Sequence, residues 1–296
     1  MNIEKNSISV IIPTYNRLKQ LQEAVQSVLE QTHLPSEIII VNDGNKDSHF
    51  EELKKLSTLI KIFQNAKPMG GNFSRNRGAK ESFGEILMFL DDDDTWEENK
   101  ILDQLKCFKE ENTNLVYSGR LVVYENSRSK VEYEIKSTLP KDNHFKSILK
   151  GNFIGTTSSV AVKKDVFFNV GMFDESLPAM QDYDLWIRIC KLGNVRSDGK
   201  SNVRYTISRS KSTKRISNSG TNQIYAANII LEKYKHDFIS ENINLKKRKG
   251  RFYFYIAKSI RERSFFRSLK WIFKSFILAP SLKPIVLLFT TKPIYF

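Results

Sequence analysis

Apolar and polar positions alternate between two periods along the first hundred residues. Ile8 to Ile12 is a β-branched run closed by Pro13, and Leu18, Leu21, Val25, Val28 and Leu29 follow at helical spacing. The pattern repeats as a strand at Ile38 to Val41, a turn at Asn42 to Asn45 and a helix carrying Leu53, Leu56 and Leu59. Lys61 to Phe63 predicts a third strand, Ser74 to Glu81 a helix, and Ile86 to Leu90 a fourth strand whose unbroken apolar run implies burial on both faces. Such βα alternation predicts an α/β fold with a largely parallel sheet.

In sheets of this kind ligands bind beyond the carboxyl ends of the strands. Those ends are polar here. Thr14, Tyr15 and Asn16 follow the first strand, Asn42, Asp43 and Gly44 the second, and Asp91, Asp92, Asp93 and Asp94 the fourth. Beyond Lys109 the pattern mixes. Strands are expected at Leu115 to Tyr124, Val131 to Ile135 and Ser158 to Val162, and helices at Phe145 to Leu149, Asp182 to Lys191 and Gln223 to Tyr234. Ser208 to Ser219, polar and basic, suits a mobile loop.

Near the C-terminus Leu269, Ile272, Phe273, Phe276 and Ile277 follow i, i+3, i+4, i+7, i+8, with Arg263, Arg267, Lys270 and Lys274 as a neighbouring stripe. This predicts a basic amphipathic helix suited to the headgroup region of acidic membranes, or alternatively to packing on the protein or a dimer contact. Charge sharpens the picture. The 296 residues carry +14 in total, and residues 246–296 hold thirteen Lys and Arg against the single acid Glu262, a local +12. An anionic partner, acidic lipid or nucleic acid, is expected for that segment. Ile285 to Phe289 is its longest apolar run, far short of the ~20 residues of a membrane-spanning helix. Two cysteines, Cys107 and Cys190, are too few for a disulfide framework and are expected as buried free thiols in a reducing compartment. No signal-peptide order precedes the first strand, so the expected place is the cytoplasm, peripheral at the inner face of the plasma membrane.

Four successive aspartates concentrate charge that a cation would neutralise. Mg²⁺ or Mn²⁺ takes hard oxygen ligands with substrate phosphates, so Asp91 and Asp93, on one side of an extended segment, are expected to hold a metal diphosphate. Asp and Thr also suit a cap for the helix opening near Asn99. Asp43 is able to accept from the imide of a uracil-like base, with Arg75 and Lys67 on phosphate or base, although Asn-Asp-Gly equally forms a simple turn. Gly70 and Gly71 allow a backbone to approach a ligand, or merely turn the chain. Asp182 and Asp184 open a helix, where acids act as caps. A carboxylate there can also act as a general base, taking the proton of a bound hydroxyl as it forms a new bond.

Taken in order, Ser9-Val10-Ile11-Ile12-Pro13-Thr14-Tyr15-Asn16-Arg17, Ile39-Ile40-Val41-Asn42-Asp43-Gly44, Gly70-Gly71 with Ser74-Arg75-Asn76, and Phe89-Leu90-Asp91-Asp92-Asp93-Asp94 resemble the family 2 glycosyltransferases of GT-A fold, over about residues 7 to 195. The resemblance implies a Rossmann-like, mixed but mostly parallel sheet flanked by helices. It implies a catalytic domain at 1–218, with a nucleotide-sugar half at about 1–110 and an acceptor half at about 111–218, and a C-terminal helical basic extension at 219–296. Pro13, Tyr15 and Asn16 match the first nucleotide-contacting loop, Asp43 the acid that reads uracil, and Arg75 a base or phosphate contact. Thr14, Arg17, Gly70, Gly71 and Asp92 complete the donor-binding set with Asp91. Asp93 matches the metal ligand of the DxD motif, Asp91 lies nearer ribose or donor sugar, and Asp182 matches the catalytic base. Two positions depart from the pattern. Gln181 stands where many relatives have Glu, and Tyr205 to Thr213 lacks a His, with Ser208 in its place.

The resemblance implies inverting transfer from a nucleotide-sugar donor, most simply a UDP-sugar, to a hydroxyl, and the basic amphipathic tail makes a glycan or lipid-linked glycan, as in bacterial surface polysaccharide synthesis, the expected acceptor. An anionic membrane would be met through residues 246–292. A nucleotidyltransferase or pyrophosphorylase would use the same sheet and acids. A basic nucleic-acid-binding protein would use the tail but leave the acidic strand ends unexplained.

Overall fold

The computed structural model describes residues 7–46, 49–110, 112–141, 143–207, 220–261 and 264–289. Internal contacts divide the chain into two units. One runs through Glu175 and resumes from Asp182 to the end of the last strand; the other contains Ser176–Gln181 and the C-terminal helices.

The first unit opens with β1 (Ile8–Thr14), α1 (Leu18–Leu29), β2 (Glu37–Asn42), α2 (His49–Leu56), β3 (Ile60–Gln64), α3 (Gly71–Glu81) and β4 (Ile86–Phe89). It continues with β5 (Thr95–Trp96), α4 (Lys100–Cys107), β6 (Leu115–Tyr117), β7 (Arg120–Tyr124), β8 (Ser127–Ile135) and α5 (His144–Lys150). β9 (Val160–Lys163), α6 (Lys164–Asn169), α7 (Gln181–Leu192), β10 (Val195–Ser197) and β11 (Val203–Ile207) complete it. Seven strands form one sheet in the order β10-β6-β9-β4-β1-β2-β3, and β5-β11-β7-β8 form a second. β1 pairs parallel with β2 and β4, and β2 with β3, whereas β9 runs antiparallel between β4 and β6. The sheet is mixed and mostly parallel.

Every residue of β1, β2 and β4 is buried, as the continuous apolar runs require. Val10, Ile12, Ile38, Ile40 and Met88 meet Leu21, Val25 and Val28 of α1 in one core. At about 1.5–3 kcal/mol for each large side chain removed from water, this layer is what fixes the strand ends in place. The predicted helix carrying Leu59 ends instead at Leu56, and Leu59 packs against the core from the turn before β3.

Two strand expectations need correction. Leu115 to Tyr124 is not one strand: β6 lies in the first sheet and β7 in the second. The ladder changes partner at Ser118 and Gly119, whose N–H groups donate to the Ser159 and Lys200 carbonyls at 2.9 and 2.6 Å. The strand expected from Ser158 begins at Val160, because Thr157–Ser159 turn as a short 3₁₀ segment. Cys190 is a buried free thiol as expected, while Cys107 is only partly buried.

The second unit comprises α8 (Gly220–Lys233), α9 (Lys235–Ser240), α10 (Leu245–Arg261), α11 (Phe265–Leu278) and α12 (Leu282–Phe289). Phe254 and Ala257 of α10, Ile272 of α11 and Leu287 of α12 form its small core. Among the described residues no helix is long and apolar enough to cross a membrane. The loop expected at Ser208 to Ser219, and Arg263 of the basic stripe, lie outside the described residues.

Candidate functional site

Parallel pairing sets Thr14 beside Asn42, and the Asp43 N–H donates to the Thr14 carbonyl at 2.9 Å. On the other side of β1 the Leu90 N–H donates to Ile11, so the aspartates emerge next to the loop after β1. Three strand ends therefore share one edge.

The aspartates do not form an extended segment. The Asp94 N–H donates to the Asp91 carbonyl at 3.0 Å and closes a turn. Even so, the four carboxylates sort by alternation. Asp92 and Asp94 are buried, whereas Asp91 and Asp93 remain partly open to solvent. Asp92 accepts from the Thr14 hydroxyl at 2.8 Å and pairs with Arg17 at 2.8 Å. Burial pushes its carboxyl up to about 7, against the nearby Arg17 cation. Asp94 accepts from the Ser158 hydroxyl at 2.7 Å and the Thr206 N–H at 2.9 Å, and burial beside Asp93 and Asp91 raises it well above the carboxylate range. These two acids brace the turn.

The outward pair is differently placed. Arg17 donates to Asp93 at 2.9 Å, and Arg75 to Asp91 at 2.5 Å. Asp91 also accepts from the Thr157 hydroxyl at 3.0 Å. Burial, the largest influence, opposes its ionisation, but Arg75, Thr157 and Arg17 together outweigh it and hold the carboxyl below its ordinary value. Among the described residues no three His, Cys, Asp or Glu side chains form a metal cage. Two hard carboxylates with partly open oxygens are nevertheless the donor set that suits Mg²⁺ or Mn²⁺ when phosphate and water complete the shell, so the residues present fit such an ion.

Asp43 holds the loop before α3. One of its oxygens accepts from Asn65 at 2.6 Å and the Met69 N–H at 2.8 Å, the other from the Gly70 N–H at 2.7 Å. A carboxylate has about four lone-pair sites, so one oxygen keeps capacity for a further donor. Gly70 opens α3 at φ 93, and Gly71 lies against Arg75. Asn16 sits at φ 52 and its side-chain oxygen accepts from the Asn45 N–H at 2.8 Å, tying the first loop to the second. Tyr15 is half exposed on that loop, and Pro13 lies within β1 opposite Val41. Lys67 is exposed and pairs with none of the described acids. Ser208 lies outside the described residues.

Asp182 is the second residue of α7, and the Tyr183 N–H donates to it at 2.7 Å. Burial raises its carboxyl to about 6, with Arg75 and Arg120 opposing and Asp91 adding to the rise. The carboxylate therefore lies within the electrostatic reach of the Asp91–Arg75 pair. Asp184 differs: it is fully buried and accepts from Arg188 one turn on, at 2.8 and 3.1 Å, an internal tie of the helix. Sequence reasoning missed Arg120, Thr157 and Ser158. Arg120 starts β7, lies 5.9 Å from the Tyr205 ring centre and feels both Asp182 and Asp94. Nothing in its local sequence marks it, since its role depends on the strand exchange after Ser118.

The motifs thus sit on the edge where their order along the chain predicted them. Residues 9–171 match the model of glycosyl transferase family 2. The chain belongs to that family. An uncharacterized glycosyltransferase of Rickettsia conorii is 30% identical over 265 residues, 88% of this chain but 42% of that protein, so the chain spans about two fifths of that relative. The Escherichia coli UDP-Glc:alpha-D-GlcNAc-diphosphoundecaprenol beta-1,3-glucosyltransferase is 27% identical over 189 residues, 64% of this chain and 71% of that protein. S. aureus TarS residues 1–349 shares the fold, with a TM-score of 0.58 at 18% identity, covering 95% of this chain and 83% of that chain. The family 2 domain is accordingly a GT-A fold whose acidic turn and first loop share one edge of the sheet, with the α7 carboxylate within their electrostatic reach.

Proposed function

We propose that the protein transfers a sugar with inversion from a UDP-sugar to a hydroxyl of a lipid-linked glycan, in the synthesis of a bacterial surface polysaccharide. The observation that carries this reading is the Asp182 carboxylate at the start of α7, raised to about 6 and under the influence of Arg75 and Asp91. As the acceptor oxygen bonds to the anomeric carbon, the bond from that carbon to the diphosphate oxygen breaks. Asp182 takes the acceptor's proton and UDP leaves. A carboxylate of this basicity is ionised at neutral pH and still accepts a proton readily.

Asp43, Tyr15 and Asn16 would receive the nucleotide, with Pro13, Thr14 and Arg17 shaping the first loop and Gly70, Gly71 and Arg75 presented at the start of α3, where Gly70 donates to Asp43. Asp93, with Asp91, would hold Mg²⁺ or Mn²⁺, which when bound would offset the charge gathering on the departing diphosphate. The E. coli relative's name, with UDP-Glc as donor and a diphosphoundecaprenol-linked sugar as acceptor, supports the choice of nucleotide and acceptor class. The basic segment 246–292 supports delivery at an anionic membrane on the cytoplasmic side.

Product analysis tests the reaction class. Incubation with UDP-sugars and a polyprenyl-diphosphate-linked sugar should release UDP and extend the lipid-linked glycan. Release of pyrophosphate would instead assign a nucleotidyl transfer.

A further inference from the structure

The helix α11 is sorted the opposite way from a helix of a water-soluble surface. Its buried side carries Ser268, Ile272 and Ser275, while Phe266 is 82% and Ile277 73% exposed, with Phe273 exposed between them. Phe266, Lys270, Phe273 and Ile277 follow i, i+4, i+7, i+11 and form one outward stripe. The stripe expected from sequence is thereby corrected: Ile272 turns into the core with Phe254, Ala257 and Leu287, and the phenylalanines turn out. Small side chains make the inner side possible, since a Cβ on Gly250 of α10 would lie 2.7 Å from that of Ala279.

The next helix repeats the pattern. In α12 Leu282, Ile285, Val286 and Phe289 stand at i, i+3, i+4 and i+7, all exposed, with Leu282 at 76% and Phe289 at 82%. Pro284 and Leu287 take the buried side. Two successive helices, in contact with each other, thus each present an apolar stripe to the outside. Patches of this kind mark a surface meant to be covered.

We infer that the outward stripes of α11 and α12 form a monotopic insertion face that seats in the headgroup layer of an anionic bilayer. Charge selects this occupant. Lys270 lies within the stripe, and exposed Arg267 and Lys274 adjoin it on α11. A second copy of the chain would bring the same cations, and a segment of local charge +12, against themselves. A bilayer offers hydrocarbon to the phenylalanines and phosphate to the lysines, whose stems reach outward to the headgroups. At 14 and 8 residues the helices fall short of the ~20 needed to span, so they lie in the plane of the interface. The face deepens the lipid-linked acceptor reading above and rests on it for its use.

Sedimentation of the full chain with vesicles tests the inference without donor or acceptor, so it can fail while UDP binding succeeds, and the reverse. Wild type should bind vesicles of mixed phosphatidylglycerol and phosphatidylcholine more strongly than phosphatidylcholine alone. Phe266→Ser with Ile277→Ser should weaken that binding by at least about tenfold. Both side chains are exposed, so thermal unfolding should stay unchanged. Lys270→Gln with Lys274→Gln should weaken binding to the anionic vesicles and reduce its salt dependence. Binding by the Phe266→Ser, Ile277→Ser chain equal to wild type would overturn insertion in favour of purely electrostatic adsorption. A wild-type dimer, by analytical ultracentrifugation, that the same pair of substitutions dissociates would overturn it in favour of self-association.

Discussion

The Thr14 hydroxyl donates to the Asp92 carboxylate at 2.8 Å across 78 positions of sequence, fastening the acidic turn after β4 to the end of β1. Thr14→Val keeps the β-branched shape and deletes the donor, leaving a buried carboxylate with a lone pair unmet. Unfolding free energy should drop by about 1.5–3 kcal/mol, with Thr14→Ser restoring most of it. Denaturant titration of the three proteins measures this; equal midpoints would show that the bond holds nothing.

Asp182 is the residue whose chemistry is most exposed to failure. Asp182→Asn should lower kcat by about 100- to 10,000-fold while UDP affinity stays within about twofold. Since burial raises the carboxyl to about 6, the base form prevails above that pH and turnover should decline as pH falls through it. Arg120 lowers this value, so Arg120→Gln should move the acid limb of the pH profile upward. A limb that stays in place would remove Arg120 from the base's surroundings.

Gly44 permits the contact between the first two loops. A Cβ there would lie 2.2 Å from Asn16 Oδ1 and 2.9 Å from the Asn16 backbone nitrogen. Gly44→Ala should displace Asn16 from its φ 52 conformation and weaken UDP binding by about tenfold or more, measured calorimetrically. Unchanged affinity would mean that Asn16 does not shape the nucleotide site.

Glu37 makes a separate stability test, remote from chemistry. Its carboxylate is buried and accepts from Ser9 at 2.6 Å, the Phe83 N–H at 2.7 Å and Lys61 at 2.9 Å. Burial favours the neutral acid, but these bonds outweigh it and hold the carboxyl below its ordinary value. A depressed folded value means that the stabilisation is present above the unfolded value and is lost as pH falls through the folded one. Glu37→Gln should destabilise by about 1–3 kcal/mol at neutral pH and flatten the acid side of the stability profile.

What was legible in the chain follows from where local pattern and tertiary environment agree. The runs in β1, β2 and β4 are buried on both faces, so apolarity alone marked them, and polar residues beyond them marked the edge that carries the site. The split of β6 from β7 was not legible, because Ser118 and Gly119 change sheets through backbone bonds to distant Ser159 and Lys200. Arg120 comes near the acids through that exchange, and Thr157 and Ser158 through the 3₁₀ turn before β9, which pairs with β4. The alternation of Asp91 and Asp93 against Asp92 and Asp94 was anticipated on an extended segment, yet it arises from a turn braced by Thr14, Arg17 and Ser158. In α11, periodicity found the helix but not its orientation, since Ser268, Ile272 and Ser275 take the buried side and leave the phenylalanines outside.

The proposed metal-assisted UDP-sugar site lies at the edge formed by Asp43, Asp91 and Asp93. Calorimetric titration of UDP with and without Mn²⁺, in wild type and Asp93→Ala, tests it without knowledge of the acceptor. The expected result is binding strengthened by Mn²⁺ in wild type and insensitive to Mn²⁺ in Asp93→Ala. UDP binding that is absent under both conditions, or Mn²⁺ dependence undiminished in Asp93→Ala, would contradict it.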